Sequence, residues 1–253
     1  MRGIGLLAGA LACAMLAGCA VASGGPADTP PPAPATAPQA QAVLRGKVIR
    51  REAGRLLVAE TEGTGGVYAL SEAALTPQGG EPDPGTLVEI GYDGTTQETF
   101  PLGIPNPAYL RVTGRESDLT GLYMQVFQEL YARDEGLNDG ISLLAVDLTE
   151  AGSLSEAEKT ALLYLLQNGT GVEARPATFD GLVAEGLIVE EEGFYRFEKG
   201  LLLSLAVTEQ GENSLAFTAE KWRSSLGAYF FTDCAAEREG LAWSYTIGAE
   251  AIS

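Results

Sequence analysis

Residues 118–131 read DLTGLYMQVFQELY and contain the clearest helical periodicity in the sequence. Apolar side chains recur at every third or fourth position, at Leu119, Leu122, Tyr123, Val126, Phe127, Leu130 and Tyr131. One continuous apolar stripe predicts an amphipathic helix whose stripe faces a core. Asp118 is the predicted N-cap of this helix, and Gly136 is the predicted left-handed cap beyond its end.

The sequence around this helix predicts an α+β domain over residues 115–253. Ser155 and Glu158 form a capping box for a second helix that ends at Asn168-Gly169, and a shorter helix is predicted from Phe179 to Glu185, stopped by Gly186. The predicted strands share short, apolar-rich sequences, and they are Ile141–Leu148, Leu187–Glu190, Phe194–Phe197, Leu201–Thr208, Leu215–Thr218, Ala228–Thr232 and Ala242–Thr246. Because the helices come first and a run of strands follows, with a hairpin turn at residues 210–213, we expect two or three helices on an antiparallel sheet.

Upstream of this domain, residues 42–114 predict a small β-barrel. Their short strand candidates are separated by turn signals, and they are Val43–Ile49, Arg55–Ala59, Val67–Leu70, Leu87–Tyr92 and Tyr109–Val112. This order resembles the OB-like barrels at the front of many lipoproteins of Gram-positive gut bacteria. OB folds can bind oligonucleotides or sugars, but this region has no basic groove and no repeated exposed aromatic residues in its sequence.

The N-terminal residues resemble the export and anchoring signal of bacterial lipoproteins. Arg2 precedes an apolar run, residues 4–16, which is too short to span a bilayer but fits a signal peptide. The run closes on Leu16-Ala17-Gly18-Cys19, which resembles a lipobox, and the resemblance implies cleavage before Cys19 and lipidation of its thiol. The prediction is a signal peptide over residues 1–18, then the lipidated cysteine and a disordered Pro/Ala-rich linker over residues 19–41. An ordinary secretory signal with an incidental cysteine is the alternative.

The composition excludes several classes of function. The sequence contains no histidine, which removes Ser-His-Asp and Cys-His catalysis and the commonest zinc ligand. Because Cys13 leaves with the predicted signal peptide and Cys19 carries the predicted lipid, Cys234 has no partner for a disulfide and is expected to be buried and inert. The formal net charge of −18 argues against nucleic acid as a partner. No cofactor and no metal site are predicted, since the acidic loop Asp134–Asp139 lacks the spacing of an EF-hand.

Four sequence segments carry a further resemblance. They are DLTGLY at residues 118–123, GLNDGI at 136–141, KWRSSLGAYFFTDC at 221–234 and YTIG at 245–248. These segments resemble landmarks of a family of uncharacterised lipoproteins from Gram-positive gut Firmicutes, and the likeness extends over nearly the whole mature chain. It implies a class of protein and a cellular compartment, the outer face of the cell membrane, but no activity.

The candidate ligand-binding residues are Lys221, Trp222 and Arg223, two cations around an indole in an otherwise anionic chain. An internal salt bridge with a half-buried aromatic ring is the alternative for this cluster. No catalytic residue is predicted, because carboxylate pairs are too frequent in this chain for any one to be informative. We expect a lipid-anchored surface protein with a non-catalytic role in binding, whose partners are the membrane and an unknown envelope protein or glycan. A solute-binding lipoprotein of a transporter, or a hydrolase acting on cell-wall or glycan substrates, is the alternative.

Overall fold

Two β-sheets and three α-helices make up residues 40–73 and 75–253, which this computed structural model describes. The predicted signal peptide (residues 1–18), the lipidation site Cys19 and nearly all of the linker 19–41 lie outside these ranges. Within them, no helix is long and apolar enough to cross a membrane. With fifteen strands and three α-helices, the part of the chain that the structure describes is β-rich.

The first sheet contains six strands. Their bounds are β1 Ala42–Glu52, β2 Arg55–Glu60, β3 Val67–Ser71, β4 Thr86–Tyr92, β5 Leu102–Ile104 and β6 Pro107–Arg115. The spatial order is β5-β3-β2-β1-β4-β6, and β3 and β5 are the one parallel pair within it. Alternate side chains of the strands meet in one apolar core, formed by Leu44, Val48, Leu56, Val58, Leu70, Val88, Ile90, Ile104 and Leu110. The five strand candidates of this region are confirmed, and β5 was not predicted.

The second sheet contains nine strands. Their bounds are β7 Leu143–Asp147, β8 Glu173–Pro176, β9 Val189–Glu191, β10 Phe194–Arg196, β11 Gly200–Gln210, β12 Ser214–Ser224, β13 Gly227–Glu239, β14 Ala242–Thr246 and β15 Ala249–Ile252. The main order is β14-β13-β12-β11-β7-β8, while β15 pairs with β13, and β10 pairs with both β12 and β9. The predicted antiparallel pairing holds for β9 to β15, but β7 runs parallel to both β11 and β8, so the sheet is mixed. The helix between β7 and β8 returns the chain to the end of the sheet at which β7 starts, so that β8 runs parallel to β7.

Three helices accompany this sheet: α1 Leu119–Ala132, α2 Glu156–Thr170 and α3 Phe179–Ala184. The predicted N-cap of α1 is confirmed, since the Asp118 carboxylate accepts a hydrogen bond from the Gly121 N–H at 2.9 Å. The capping box of α2 is also confirmed. The Ser155 hydroxyl accepts from the Glu158 N–H, and the Glu158 carboxylate accepts from the Ser155 N–H.

The C-terminal ends of the first two helices differ from the prediction. The helix α1 stops at Ala132, and Gly136 lies within a following 3₁₀ turn, residues 135–138, so it does not cap α1. The helix α2 continues through Asn168-Gly169 and ends at Thr170, where Gly171 adopts the left-handed conformation with φ 72°. The helix α3 and its stop at Gly186 agree with the prediction to within one residue.

The helices cover the two faces of the second sheet unequally. The main core lies between one face and the helices α1 and α2, and it includes Phe127, Leu162, Leu203, Phe217 and Phe231. The other face carries a smaller cluster, in which α3 and the β9–β10 hairpin cover Ala145 and Leu202. The remainder of that second face, around Ser204 and Glu220, is open.

The helix α2 also joins the second sheet to the first. Ala157 and Ala161 of α2 pack against Ile49 and Leu57 of the first sheet. Beside this contact, the Lys47 ammonium group lies 2.8 Å from the Glu158 carboxylate, and both side chains are buried. Burial raises the pKa of Glu158, but the hydrogen bond and charge of Lys47 outweigh it, so the net shift of that pKa is downward.

Candidate functional site

The three residues proposed from the sequence, Lys221, Trp222 and Arg223, are consecutive on β12. Consecutive side chains of a strand point to opposite faces of the sheet. Lys221 and Arg223 therefore point towards the end of α1, and Trp222 points to the other face. Because the three side chains do not converge, the structure does not bring them together as one site.

Lys221 is fully buried and caps the C-terminal end of α1. Its ammonium group donates hydrogen bonds to the backbone carbonyls of Tyr131, Arg133 and Asp134 at 2.9, 2.5 and 3.1 Å. The last carbonyls of a helix lack partners within the helix and carry partial negative charge, so a cation is stabilising there. Burial lowers the pKa of Lys221 to about 8. These contacts assign Lys221 a structural role, and ligand binding by it stays a prediction.

Trp222 and Arg223 also have partners within the chain. The Trp222 ring meets Phe179 of α3 edge-on at 5.1 Å, and Phe179 meets Tyr195 of β10 at 5.4 Å. The Arg223 guanidinium donates to the carbonyls of Leu137 and Glu198. Trp222 therefore supports the β9–β10 hairpin from beneath, and Arg223 ties the segment after that hairpin to the 3₁₀ turn.

The hairpin that Trp222 supports forms one wall of a surface pocket of about 750 Å³. We call it the hairpin pocket and define it by Glu191, Phe194, Arg196, Ser224 and Leu226. The two strands of the hairpin are joined by Glu192-Gly193, both with positive φ, which is the two-residue turn that matches strand twist. Strand β10 is then fixed to β12 through the pair Arg196 and Ser224.

The opposite wall of the hairpin pocket is the turn between β12 and β13. The Ser225 N–H donates to the Tyr195 carbonyl at 2.9 Å, and the Ser225 hydroxyl accepts from the Tyr195 N–H at 2.9 Å. This pair of bonds holds the turn against the hairpin. Leu226 stands at the tip of the turn with 75 % of its surface exposed, and Phe194 across the pocket is 53 % exposed. Two large apolar side chains thus face solvent around one cavity, which is an arrangement found at interaction sites.

The polar groups of the hairpin pocket are mainly acidic. Glu191 and Glu192 line it together with one cation, Arg196, which is paired with Glu198 at 3.5 Å. Glu190, on the other face of the hairpin, lies beside the Tyr195 hydroxyl and raises the pKa of that tyrosine. The pocket therefore offers apolar contact surface with hydrogen-bond acceptors around it.

A second open region, the sheet-face groove, lies on the same face of the second sheet and measures about 340 Å³. Asp147, Ser204, Glu220 and Phe230 occupy neighbouring strands at one register position, so their side chains form a row across it. Burial raises the pKa of Glu220. Asp147 accepts hydrogen bonds from the N–H and hydroxyl of Thr149, whereas Glu220 has no hydrogen-bond or ion-pair partner among the described residues. A carboxyl group of raised pKa in an open groove can donate a proton.

The remaining reactive group, Cys234, is buried in the main core. Burial raises the pKa of its thiol to about 11, which keeps it protonated at neutral pH. Over residues 40–73 and 75–253, no three His, Cys, Asp or Glu side chains are grouped so that they could hold a metal ion.

Sequence reasoning did not identify Phe194, Leu226 or Glu220. One signal was available at Leu226, because a large apolar residue within Ser224-Ser225-Leu226-Gly227 is unusual for an exposed turn. A second was available at Phe194, which directly follows the acidic turn Glu192-Gly193. Glu220 carried no local signal, because its burial depends on the strands β11 and β13 on either side.

A scan against models of protein families finds none that matches this chain, and a search of curated proteins finds no matching relative.

Proposed function

We propose that this chain is a lipid-anchored bacterial surface protein, held at the outer face of the cell membrane through Cys19, that binds an envelope partner without catalysis. The binding surface in this proposal is the hairpin pocket. The observation that carries it is the pair Phe194 and Leu226, both more than half exposed, on opposite walls of one cavity.

The fixed walls of the pocket support a binding role. Side chains that are held in place before binding lose little conformational entropy when a partner arrives, so more of the contact energy becomes affinity. The aromatic contacts from Trp222 through Phe179 to Tyr195 fix one wall, and the bonds between Ser225 and Tyr195 fix the other. These contacts hold the backbone that carries Phe194 and Leu226, so an apolar group of a partner that enters the pocket meets both side chains on a fixed frame.

The charge around the pocket selects the chemistry of the partner. Residues 190–192 are three consecutive glutamates, and residues 116–253 as a whole carry many more acidic than basic side chains. Complementary potential steers association and disfavours partners of like charge. We therefore assign the pocket to a protein segment in which an apolar side chain is flanked by lysine or arginine.

The binding half of the proposal is tested on the full chain reconstituted in nanodiscs of neutral lipid. Two labelled peptides of equal length and leucine content serve as probes, one rich in lysine and one rich in glutamate. We expect fluorescence anisotropy to show binding of the lysine-rich peptide and much weaker binding of the other. The double substitution Phe194→Ser with Leu226→Ser should weaken binding at least tenfold, which corresponds to about 1.4 kcal/mol.

The control removes apolar surface elsewhere. Val43 and Ile252 are 50 % and 69 % exposed and lie outside the pocket, so Val43→Ser with Ile252→Ser should leave binding unchanged. Equal weakening by both double variants would show non-specific attraction and would contradict the assignment. Binding of cell-wall glycan fragments in place of the lysine-rich peptide would make the choice of a protein partner wrong.

We also propose that the first sheet is an OB-like barrel. Only Pro105 and Asn106 separate β5 from β6, so the two strands are consecutive pieces of nearly continuous extended chain. Because β5 pairs with β3 and β6 pairs with β4, this chain segment joins both ends of the order β3-β2-β1-β4. That connection is the one that a five-stranded Greek-key barrel requires, and it supports the proposal.

Hydrolysis of a cell-wall glycan is a second candidate function, and Glu220 favours it. A carboxyl group with a raised pKa is what general acid catalysis at a glycosidic bond requires. If this candidate is correct, the full chain releases reducing ends from purified cell wall, and Glu220→Gln abolishes the release. Equal release by the variant, or none by either chain, removes this candidate.

A further inference from the structure

A third cavity, of about 420 Å³, lies where the first sheet meets the helices α1 and α2. We call it the interface groove. Its floor and wall are apolar and consist of Leu57, Ala69, Met124, Tyr164 and Leu165. Clefts between packed units of a chain are frequent ligand sites, and this volume lies in the range that small organic ligands occupy.

Cationic side chains line the open side of this groove. A β-bulge in β1 interrupts the register between Val48 and Arg50, so that Ile49 packs against α2 and Arg50 lies opposite Leu57 on the groove. The turn Ala53-Gly54 then brings Arg55 to the same edge. Two arginines are thereby placed next to an apolar floor.

The two arginines differ in their partners. Arg50 forms an ion pair with Glu52 at 2.9 Å. Arg55 forms no ion pair with any residue in the ranges 40–73 and 75–253, although it borders the groove. Its guanidinium group is therefore available to a ligand, and the planar fork of arginine fits a carboxylate through two parallel hydrogen bonds.

Polar and aromatic groups complete the groove. Gln128 of α1 and Asn168 of α2 also line the groove and supply amide groups. The Tyr164 ring is supported edge-on by Phe100 at 5.6 Å. A flat apolar body can therefore lie against Tyr164 while its carboxylate reaches the arginines.

We propose that the interface groove binds a small monocarboxylate with an apolar, ring-bearing body. The local charge carries this choice of ligand, because Arg50 and Arg55 outnumber Glu52 in a chain whose net charge is −18. The site is separate from the hairpin pocket and does not depend on the function proposed for that pocket.

Three probes of similar size show whether the arginines of the groove or the net negative charge of the chain governs binding. They are 3-phenylpropionate, the neutral 3-phenylpropanamide and the cationic 3-phenylpropylamine. Ligand-observed NMR on the full chain in nanodiscs, with empty nanodiscs as blank, measures the binding of each. We expect the carboxylate to bind at least fivefold more tightly than the amide. Preference for the amine would show that the overall negative charge governs binding and would overturn the proposal.

Two substitutions locate the binding. Arg55→Gln should weaken 3-phenylpropionate binding at least fivefold, and the matched control Arg115→Gln, which removes an exposed arginine outside the groove, should not. Ala69→Leu should block binding by filling the floor. Melting curves show whether each variant is folded. If folded Arg55→Gln and Ala69→Leu both bind as well as the original chain, the interface groove is not the site.

Discussion

Replacement of Lys221 by methionine tests the structural role that its contacts assign to it. The side chain is fully buried, and methionine keeps most of its apolar length while removing the ammonium group. We expect the variant to be less stable and to bind partners at the hairpin pocket as the original chain does, because Lys221 does not line that pocket.

The expected loss follows from the three carbonyls that accept from Lys221. Those of Tyr131 and Asp134 each keep one other hydrogen bond, and that of Arg133 is left without a partner among the described residues. One orphaned buried carbonyl costs about 1–3 kcal/mol, and loss of a cation at a helix C-terminus costs up to about 2 kcal/mol. The burial cost of the ammonium group, which lowers its pKa to about 8, is recovered and offsets the lost attraction between the cation and the helix end, so the orphaned carbonyl sets the net loss. The net loss is therefore about 2 kcal/mol, or roughly 4–8 °C in melting temperature for a chain of this size.

Equilibrium denaturation of the two chains at pH 7 measures this loss, and Lys199→Met at an exposed position is the control. The pH dependence gives a second readout. Because the pKa of Lys221 is lowered from 10.5 to about 8 in the folded chain, the unfolded chain binds the proton more tightly between these values. The contribution of Lys221 to stability therefore rises with pH over that interval, and the difference between the original chain and the variant should widen.

The refuting result combines two observations. If Lys221→Met is as stable as Lys199→Met, the cap on α1 is unimportant. If the same variant also loses binding of the lysine-rich peptide, Lys221 belongs to a ligand site, as the sequence indicated.

Three further substitutions are read by the same denaturation assay. Lys47→Met should cost about 3 kcal/mol at neutral pH, because it leaves the buried Glu158 carboxylate unpaired. Because the pKa of Glu158 is lowered in the folded chain, the ionised Glu158 stabilises the original chain above the ordinary pKa of 4.5, and this contribution is lost as pH falls. The cost of Lys47→Met should therefore shrink in acid. A cost that is independent of pH would contradict the pairing of Lys47 with Glu158. Ala53 has a φ of 50° in a two-residue turn, a left-handed conformation that asparagine adopts more readily than alanine. Ala53→Asn should therefore stabilise the chain by about 0.5–1 kcal/mol, and any loss of stability would argue against that conformation. Glu220→Gln should stabilise the chain at neutral pH by up to about 1 kcal/mol, because the folded state disfavours the Glu220 anion. Its advantage should fall as pH drops through the raised pKa of Glu220, and a variant less stable at pH 7 would show that Glu220 has a stabilising partner.

The two ends of α1 show which features the sequence could predict. Its beginning depends on local contacts, an N-cap at Asp118 and an apolar stripe, and both could be read from the sequence. Its end depends on Lys221, which is 88 residues away from Arg133, and no local pattern announces that contact. Gly136 was a plausible local stop, but the helix ended earlier because carbonyls at its C-terminus had a partner on β12.

The strand β12 explains why the three candidate ligand-binding residues do not converge. Leu215, Phe217 and Ala219 alternate as buried residues, and Lys221 continues the same alternation. The predicted strand ends at Thr218, whereas the observed strand continues through the buried Lys221 to Ser224. With β12 extended to Ser224, the three candidate residues fall on opposite faces, whereas a loop could have brought them together.

The parallel strands could not be predicted for a related reason. The sequence shows that β7 is apolar and that α2 follows it, but it does not show which strand lies beside it. The pairings of β7 with β8 and β11 are long-range contacts, and they decide that the sheet is mixed. The groove around Glu220 depends on the same long-range pairings.

The anchoring claim is tested most directly by the intact mass of the chain extracted from membranes of a lipoprotein-producing bacterial host. We predict a mature chain that begins at Cys19, with the added mass of a diacylglycerol group, and its loss from the membrane fraction in Cys19→Ala. A chain that keeps residues 1–18, or one cut elsewhere with an unmodified cysteine, would contradict the account.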